Sequence, residues 1–208
     1  MPRAPLTNPR KTAIQDRSRL TVEALLEATA RILVKEGYDK ASTNRIAQVA
    51  GVSIGSLYQY FPSKEALVAA VIDRHMQEIQ ALVREELLKA AMRPIDVAVR
   101  KLVTAGIDAH RVDPELHRVL AEQTPRVGLL ATVATRDREV YRLVRAYLEA
   151  HREELGVSDL DTAAFVCVET AEALTHAAVL RQPEMLRDER VDHFTDEVTR
   201  LIVQYLRG

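Results

Sequence analysis

An all-α fold of about nine helices is predicted by three features of this 208-residue sequence. Its composition is dominated by Ala, Leu, Val, Glu and Arg, while glycine is scarce, as in helix-rich chains. Apolar residues recur at spacings of three and four from residue 22 to the C-terminus. Neither strand-like alternation nor an internal repeat interrupts that pattern.

The elements follow in order from their start and stop signals. Residues 1–18 hold three prolines and no periodicity, which predicts a flexible basic arm. Val22, Leu25, Leu26, Thr29, Ile32 and Leu33 then share one helical face, with Gly37 placed as C-terminal cap. Ser42 and Thr43 are positioned to cap a short helix containing Ile46, Ala47, Val49 and Ala50, stopped by Gly51. Ser53 caps a second short helix that ends at Phe61-Pro62. Ser63 caps a long one, with Leu67, Val68, Val71, Ile72, Ile79, Leu82, Val83 and Leu87 along one face. After Pro94, a fifth helix carries Val99, Leu102, Val103, Gly106 and Ile107. Asp113-Pro114-Glu115 starts a sixth, with an Asp cap and proline in the first turn. A loop around Thr124-Pro125 to Gly128 leads to a helix bearing Val140, Leu143, Val144, Tyr147 and Leu148, closed near Gly156. The last two run from about 159 to 181, stopped before Pro183, and from about 188 to 206.

Charge is unevenly distributed. Through Lys64 there are ten Lys and Arg against five Asp and Glu; beyond it the numbers are nineteen and twenty-five. A basic N-terminal segment on an acidic body suggests that one end meets a polyanion. The start lacks the apolar stretch of a secretory signal, and no apolar run approaches the roughly 18–20 residues of a membrane span. A single cysteine, Cys167, leaves no internal disulfide and no cysteine-based zinc site. A cytoplasmic location, with neither cofactor nor metal, is expected.

The stretch TNRIAQVAGVSIGSLYQYF holds two short capped helices joined at Gly51-Val52-Ser53, a helix-turn-helix pattern. Ile46, Ala47, Val52 and Leu57 are placed to pack the pair together. A helix that enters the major groove must bring its N-terminal residues close to base edges and phosphates. Gly55 permits close approach, and Ser53 and Ser56 offer short hydroxyls. Tyr58 and Tyr60 carry hydroxyls on stiff rings, while Lys64 and Thr43 stand at helix starts where backbone N–H groups favour phosphate. Arg10, Lys11, Arg17 and Arg19 would follow the DNA backbone or minor groove, or else merely solubilise a tail. Two tyrosines packed within a helical hairpin are the competing structural reading of the same pattern.

The string T-x-x-I-A-x-x-A-G-V-S-x-G-x-L-Y-x-Y-F-x-x-K-E-x-L, from Thr43 to Leu67, resembles the DNA-binding domain of the TetR/AcrR transcriptional regulators. The likeness extends from Leu20 and covers nearly a quarter of the chain; the remainder is similar only in its layout of helices. The resemblance implies phosphate contacts by Thr43, Tyr58, Tyr60 and Lys64, and base-facing roles for Ile54, Gly55, Ser56 and Gln59. The Gln59 amide suits adenine. It also implies a helix-turn-helix domain over 19–64 and an effector-binding and dimerisation domain over 65–208.

In the second half, Ala163, Ala164, Cys167, Ala171, Leu174 and Ala178 share one face of the penultimate helix. Val191, Phe194, Val198, Leu201, Ile202 and Tyr205 form a stripe on the last. Both suit a dimer interface, which the resemblance favours, or packing within the monomer. On the other side of the penultimate helix, Glu169, Glu172 and His176 face an effector cavity, a solvated edge or an intersubunit ion pair. His110, His117, Gln123, Tyr141, Tyr147 and Phe165 are further pocket candidates.

Together these readings imply a homodimeric repressor, released from a pseudo-palindromic double-stranded DNA operator by a small-molecule effector. A DNA-binding protein without such input, an activator and a helical enzyme are the alternatives. Against the enzyme stands the lack of a Gly-rich phosphate loop, a nucleophile elbow, an H-E-x-x-H motif or any histidine pair at metal-ligand spacing.

Overall fold

A computed structural model describes residues 16–124 and 138–208. Among them are nine α-helices and no strand. These are α1 (Asp16–Glu36), α2 (Thr43–Ala50), α3 (Ile54–Tyr60), α4 (Lys64–Ala90) and α5 (Ile95–Arg111). They continue with α6 (Pro114–Gln123), α7 (Arg138–Ala150), α8 (Leu160–Arg181) and α9 (Asp188–Arg207). Single 3₁₀ turns, Arg152–Glu154 and Pro183–Leu186, precede α8 and α9. The all-α architecture is the one expected. Two details differ or lie elsewhere. Helix α1 begins at Asp16, so the last three residues assigned to the arm are helical, while 1–15 lie outside the described residues, as does the expected loop beyond Thr124.

The chain divides into two compact units, Met1–Met76 with Glu115–Thr132 and Gln77–Pro114 with Val133–Gly208. Helix α4 thus contributes its residues through Met76 to the first unit and those from Gln77 to the second. In the first unit, Leu25 and Leu33 of α1, Ile46 of α2, Leu57 of α3, Phe61, and Leu67 and Val68 of α4 are essentially inaccessible. Leu120 of α6 joins them. Each such side chain contributes about 1.5–3 kcal/mol relative to exposure. The same core buries an imidazole pair, with His75 Nε2 3.1 Å from His117 Nδ1.

In the second unit, α5 packs against α8 and α9, and α7 packs against α8. The core contains Ile95, Val103 and Ile107 of α5, Leu148 of α7, and Val198, Ile202 and Leu206 of α9. Helix α8 enters this core with Ala163, Ala164, Cys167, Ala178 and Val179. That placement corrects the dimer-face expectation for Cys167, Ala178 and Val198, which are buried within the monomer, while Ala171 and Phe194 are partly buried against the same core. Only Leu174 and Leu201 of that set are exposed. The physical reason is close helix approach: small side chains on α8 let three neighbouring elements reach its backbone.

A second correction concerns hydropathy. By length and composition α8 is apolar enough to cross a membrane, although no such stretch was expected. Its alanines and valines supply that character, and they also supply the core contacts just named.

The end of α9 is fastened to the loop before α8. Gly156 N–H donates to Leu206 O at 2.9 Å, while Leu155 and Val157 on either side pack on the core. A Cβ at Gly156 would lie 2.3 Å from Arg207 O, a contact that backbone atoms cannot relieve without moving. Gly156→Ala is therefore expected to lower the unfolding free energy by about 1–3 kcal/mol, the usual range for overpacking. Urea denaturation of the purified variant checks this.

Candidate nucleic-acid interface

Three caps build the interface. Ser42 Oγ accepts the Arg45 N–H at 3.2 Å and starts α2. Gly51 ends α2 in the left-handed region, with φ 69°. Its N–H donates to Gln48 O at 3.2 Å, and the Val52 N–H donates to Ala47 O at 3.0 Å. This paired closure needs a residue that tolerates positive φ, and glycine does so without a Cβ penalty. Ser53 Oγ then accepts the Ser56 N–H at 3.0 Å and starts α3. Three residues, Gly51, Val52 and Ser53, separate the helices, so the aim of α3 depends on the backbone angles of this short turn, with Gly51 at positive φ.

Helix α3 has seven residues, too few to persist alone in water. Leu57 and Tyr60, three apart, turn inward and are buried. Ile54 and Tyr58, and Gly55 and Gln59, each four apart, lie exposed. Ser53 is exposed too, whereas Ser56 is half-buried with its hydroxyl 2.8 Å from that of Ser53. The sequence reading pairs Tyr58 with Tyr60 as outward-facing rings; the structure separates them. Tyr60 follows Leu57 by three residues and shares its inward face, so its ring belongs to the core.

The flanking groups converge. Thr43 Oγ1 at the start of α2 lies 3.1 Å from Tyr58 Oη. Lys64, at the start of α4, donates from Nζ to Tyr38 O at 3.2 Å and stands 3.9 Å from the centroid of the Tyr38 ring. Tyr38 escaped the sequence reading, because a residue directly after a helix-stopping glycine reads as plain loop. Arg45, exposed on α2, is held by Glu36 at 2.8 Å, and that hydrogen-bonded pair lowers the Glu36 pKa. Arg17 and Arg19 belong to the start of α1, and Arg10 and Lys11 lie outside the described residues.

Gly55 is informative in a different way. Its φ is not positive, and a Cβ there would meet nothing nearer than Ser53 Oγ at 3.9 Å, an ordinary contact. The protein's own packing does not require glycine. The missing side chain leaves the exposed face of α3 open at this position.

The expected effector residues are less coherent. Gln123 is buried in the first unit, whereas His110, Phe165, Glu169, Glu172 and His176 belong to the second. His110 Nδ1–H donates to Gly106 O at 2.6 Å, and its ring meets that of His176 edge-on at 6.2 Å. Burial pushes the His110 pKa below its usual 6.5; His176 is lowered by burial and then by the charges of His110 and Arg181. Phe165, more than half exposed, stacks on Tyr141, whose hydroxyl donates to Glu169. Glu172 is exposed. None of the six lines the groove of about 350 Å³ between α4 and α5, whose walls include Leu82, Glu85, Arg100, Thr104 and Asp108. Burial raises the Cys167 thiol to about 12, which leaves it unreactive at neutral pH.

Two family models match this chain. Residues 25–71 match the model described as bacterial regulatory proteins of the tetR family, and residues 94–206 match the tetracyclin repressor-like C-terminal domain. The second alone spans more than half of the sequence. The chain belongs to the TetR family. The N-terminal match is to bacterial regulatory proteins as a class. Among curated relatives, the nucleoid occlusion factor SlmA of Haemophilus ducreyi is 28% identical over 116 residues, covering 56% of this chain and 55% of that one. The transcriptional activator FasR of Mycolicibacterium smegmatis is 33% identical over 139 residues, covering 63% of each. The chain thus spans between about half and two thirds of the length of these relatives. A solved TetR-family structure from Mesorhizobium loti superposes with a TM-score of 0.71 over 91% of this chain and 98% of its own, at 16% identity, and shares the fold.

For this TetR-family helix-turn-helix, Gly55→Ala separates folding from binding. Alanine suits a helix better than glycine by up to about 1 kcal/mol, so thermal stability should hold or rise. DNA affinity, read by fluorescence anisotropy, should fall. For the second unit, low-pKa histidines bind fewer protons folded than unfolded. Stability should therefore drop as pH falls below about 6.5 and continue down to the folded-state pKa. Urea unfolding at pH 7.5 and 6.0 should show this, with a smaller drop for His110→Phe.

Proposed function

We propose that the protein is a homodimeric repressor that leaves a pseudo-palindromic operator when a small-molecule effector binds its helical body. The observation that carries the DNA half of this reading is the cleared face of α3 at Gly55, flanked by the Thr43–Tyr58 hydroxyl pair and by Lys64. Thr43, Tyr58 and Lys64 would hold phosphates, with Tyr60 limited to what its buried ring leaves accessible. Ser53, Ile54, Gly55, Ser56 and Gln59 would face bases. An exposed Ile54 suits a thymine methyl, and the Gln59 amide suits adenine. A bacterial DNA regulator acts in the cytoplasm.

Support for a second copy comes from exposed apolar side chains on α8 and α9, namely Phe165, Leu174, Leu201 and Tyr205. Phe165 lies across α8 from the small residues in the core, while Leu174, Leu201 and Tyr205 are members of the apolar stripes that the core leaves uncovered. A two-fold dimer would set its two α3 helices in successive major grooves about 34–36 Å apart. Support for repression comes from the repressor-like description of the C-terminal family model, whereas FasR is named an activator. Helix α4 supports coupling between effector and operator, since one continuous helix starts at Lys64 and contributes to both compact units. An effector that favoured one state of the body would then oppose operator binding by linkage.

A second reading, DNA binding without small-molecule input, is favoured by one observation. The groove between α4 and α5 is lined by five charged side chains, Glu85, Glu86, Arg100, Lys101 and Asp108, more than the few placed polar groups usual in small-ligand sites.

The test is titration of the purified protein with DNA from upstream of its own gene at two salt concentrations, against a scrambled duplex. Selective binding is expected, and equal binding to both duplexes would overturn the operator reading. Leu201→Asp should turn a dimer into a monomer in light scattering and weaken operator binding at least tenfold, the effect of losing about 1.4 kcal/mol. An unchanged mass would exclude the outer face of α9 from the interface.

A further inference from the structure

Lys64 is expected to reach a DNA phosphate, yet its side chain already has a fixed seat. Its ammonium nitrogen stands 3.9 Å from the centroid of the Tyr38 ring and 3.2 Å from the Tyr38 carbonyl oxygen. The neighbouring Glu65 accepts a hydrogen bond from Tyr38 Oη at 3.3 Å. Two adjacent residues at the start of α4 therefore grip one residue in the turn between α1 and α2. That residue follows Gly37, which closes α1 at φ 80°. Its ring is partly buried against the first-unit core, so the seat is anchored.

An aromatic face attracts an ammonium through its quadrupole, and the attraction grows as water is excluded from one side. The ammonium has three donors. One is used by the carbonyl, and the ring covers one further direction, while the Lys64 side chain stays half-exposed. A lysine with four free torsions would have to be ordered when DNA arrives, at a cost in binding. A seated lysine has met that cost during folding.

We propose that Tyr38 is a positioning residue for DNA binding: its ring and carbonyl hold the Lys64 ammonium in place before the phosphate arrives. This rests on the reading of Lys64 as a phosphate contact. Tyr38 itself need not touch DNA. The hydroxyl bond to Glu65 steadies the ring, and hydrogen bonds from Ser63, Tyr38 and the Glu65 backbone hold the Glu65 carboxyl ionised, with its pKa lowered despite burial.

A double-mutant cycle tests it, using a duplex that the protein selects from a random-sequence library. Tyr38→Leu should weaken binding about two- to fivefold, the scale of one cation–π contact. Tyr38→Phe, which keeps the ring, should bind within about twofold of the parent. In a Lys64→Ala background, Tyr38→Leu should cost nothing further. Lys64→Ala alone should shallow the log–log salt dependence by about 0.9 for each phosphate it no longer neutralises. Tyr38→Met, with similar bulk and no ring, replaces the leucine variant if circular dichroism shows that one unfolded. An equal loss from Tyr38→Leu in both backgrounds would assign Tyr38 a structural role and overturn the proposal. Tighter binding by Tyr38→Leu would also overturn it, since the ring would then sequester the lysine. If Lys64→Ala changed neither affinity nor salt slope, the phosphate reading of Lys64 would itself fail.

Discussion

Burial of Leu57 and Tyr60 beneath a seven-residue helix is the constraint from which the exposed face of α3 follows. Helix α3 lacks the length to hold itself together, so its stability comes from the first-unit core and from the Ser53 cap. Once residues 57 and 60 are committed inward, helical geometry leaves 54, 55, 58 and 59 outward. The exposed surface is thus a by-product of the anchor. The same constraint explains why Tyr58 and Tyr60, two positions apart, serve different ends. One presents a hydroxyl beside Thr43, and the other fills the core.

The turn that aims α3 rests on backbone stereochemistry more than on side-chain contact. Gly51 adopts a positive φ and returns both its own N–H and that of Val52 to the end of α2. Glycines elsewhere in the chain answer to different needs. Gly156 makes room for the end of α9, whereas nothing within the chain asks for Gly55 to be glycine. That contrast separates a glycine required by packing from one that packing leaves free to vary.

In the second unit the same economy of small side chains works through α8. Its alanines and Cys167 let α5, α7 and α9 approach closely, and this consumes the stripe that looked suited to a second copy. Phe165 and Leu174 of α8, with Leu201 and Tyr205 of α9, are what remains exposed. His110 and His176 share the interior of α5 and α8 with lowered pKa values, which ties the packing of that region to protonation. Both units thus bury imidazoles, His75 with His117 in the first and His110 beside His176 in the second.

The sequence by itself determined the helices, their caps and the helix-turn-helix. Ser42, Gly51, Ser53, Ser63 and Asp159 act on backbone groups within a few residues, so their effects are written locally. The motif from Thr43 to Leu67 was legible for the same reason, since its spacing is the spacing of two helical turns and a cap. Tertiary structure alone decided which way amphipathic faces point when both sides are apolar. An Ala-rich helix such as α8 has no strongly preferred side, so neighbours far along the chain, those of α5 among them, chose between the Cys167 face and the Phe165 face. Interactions across long sequence separations were equally invisible: the Tyr38 seat for Lys64 and the imidazole pair of His75 and His117 depend on how helices are brought together, and no local spacing records that.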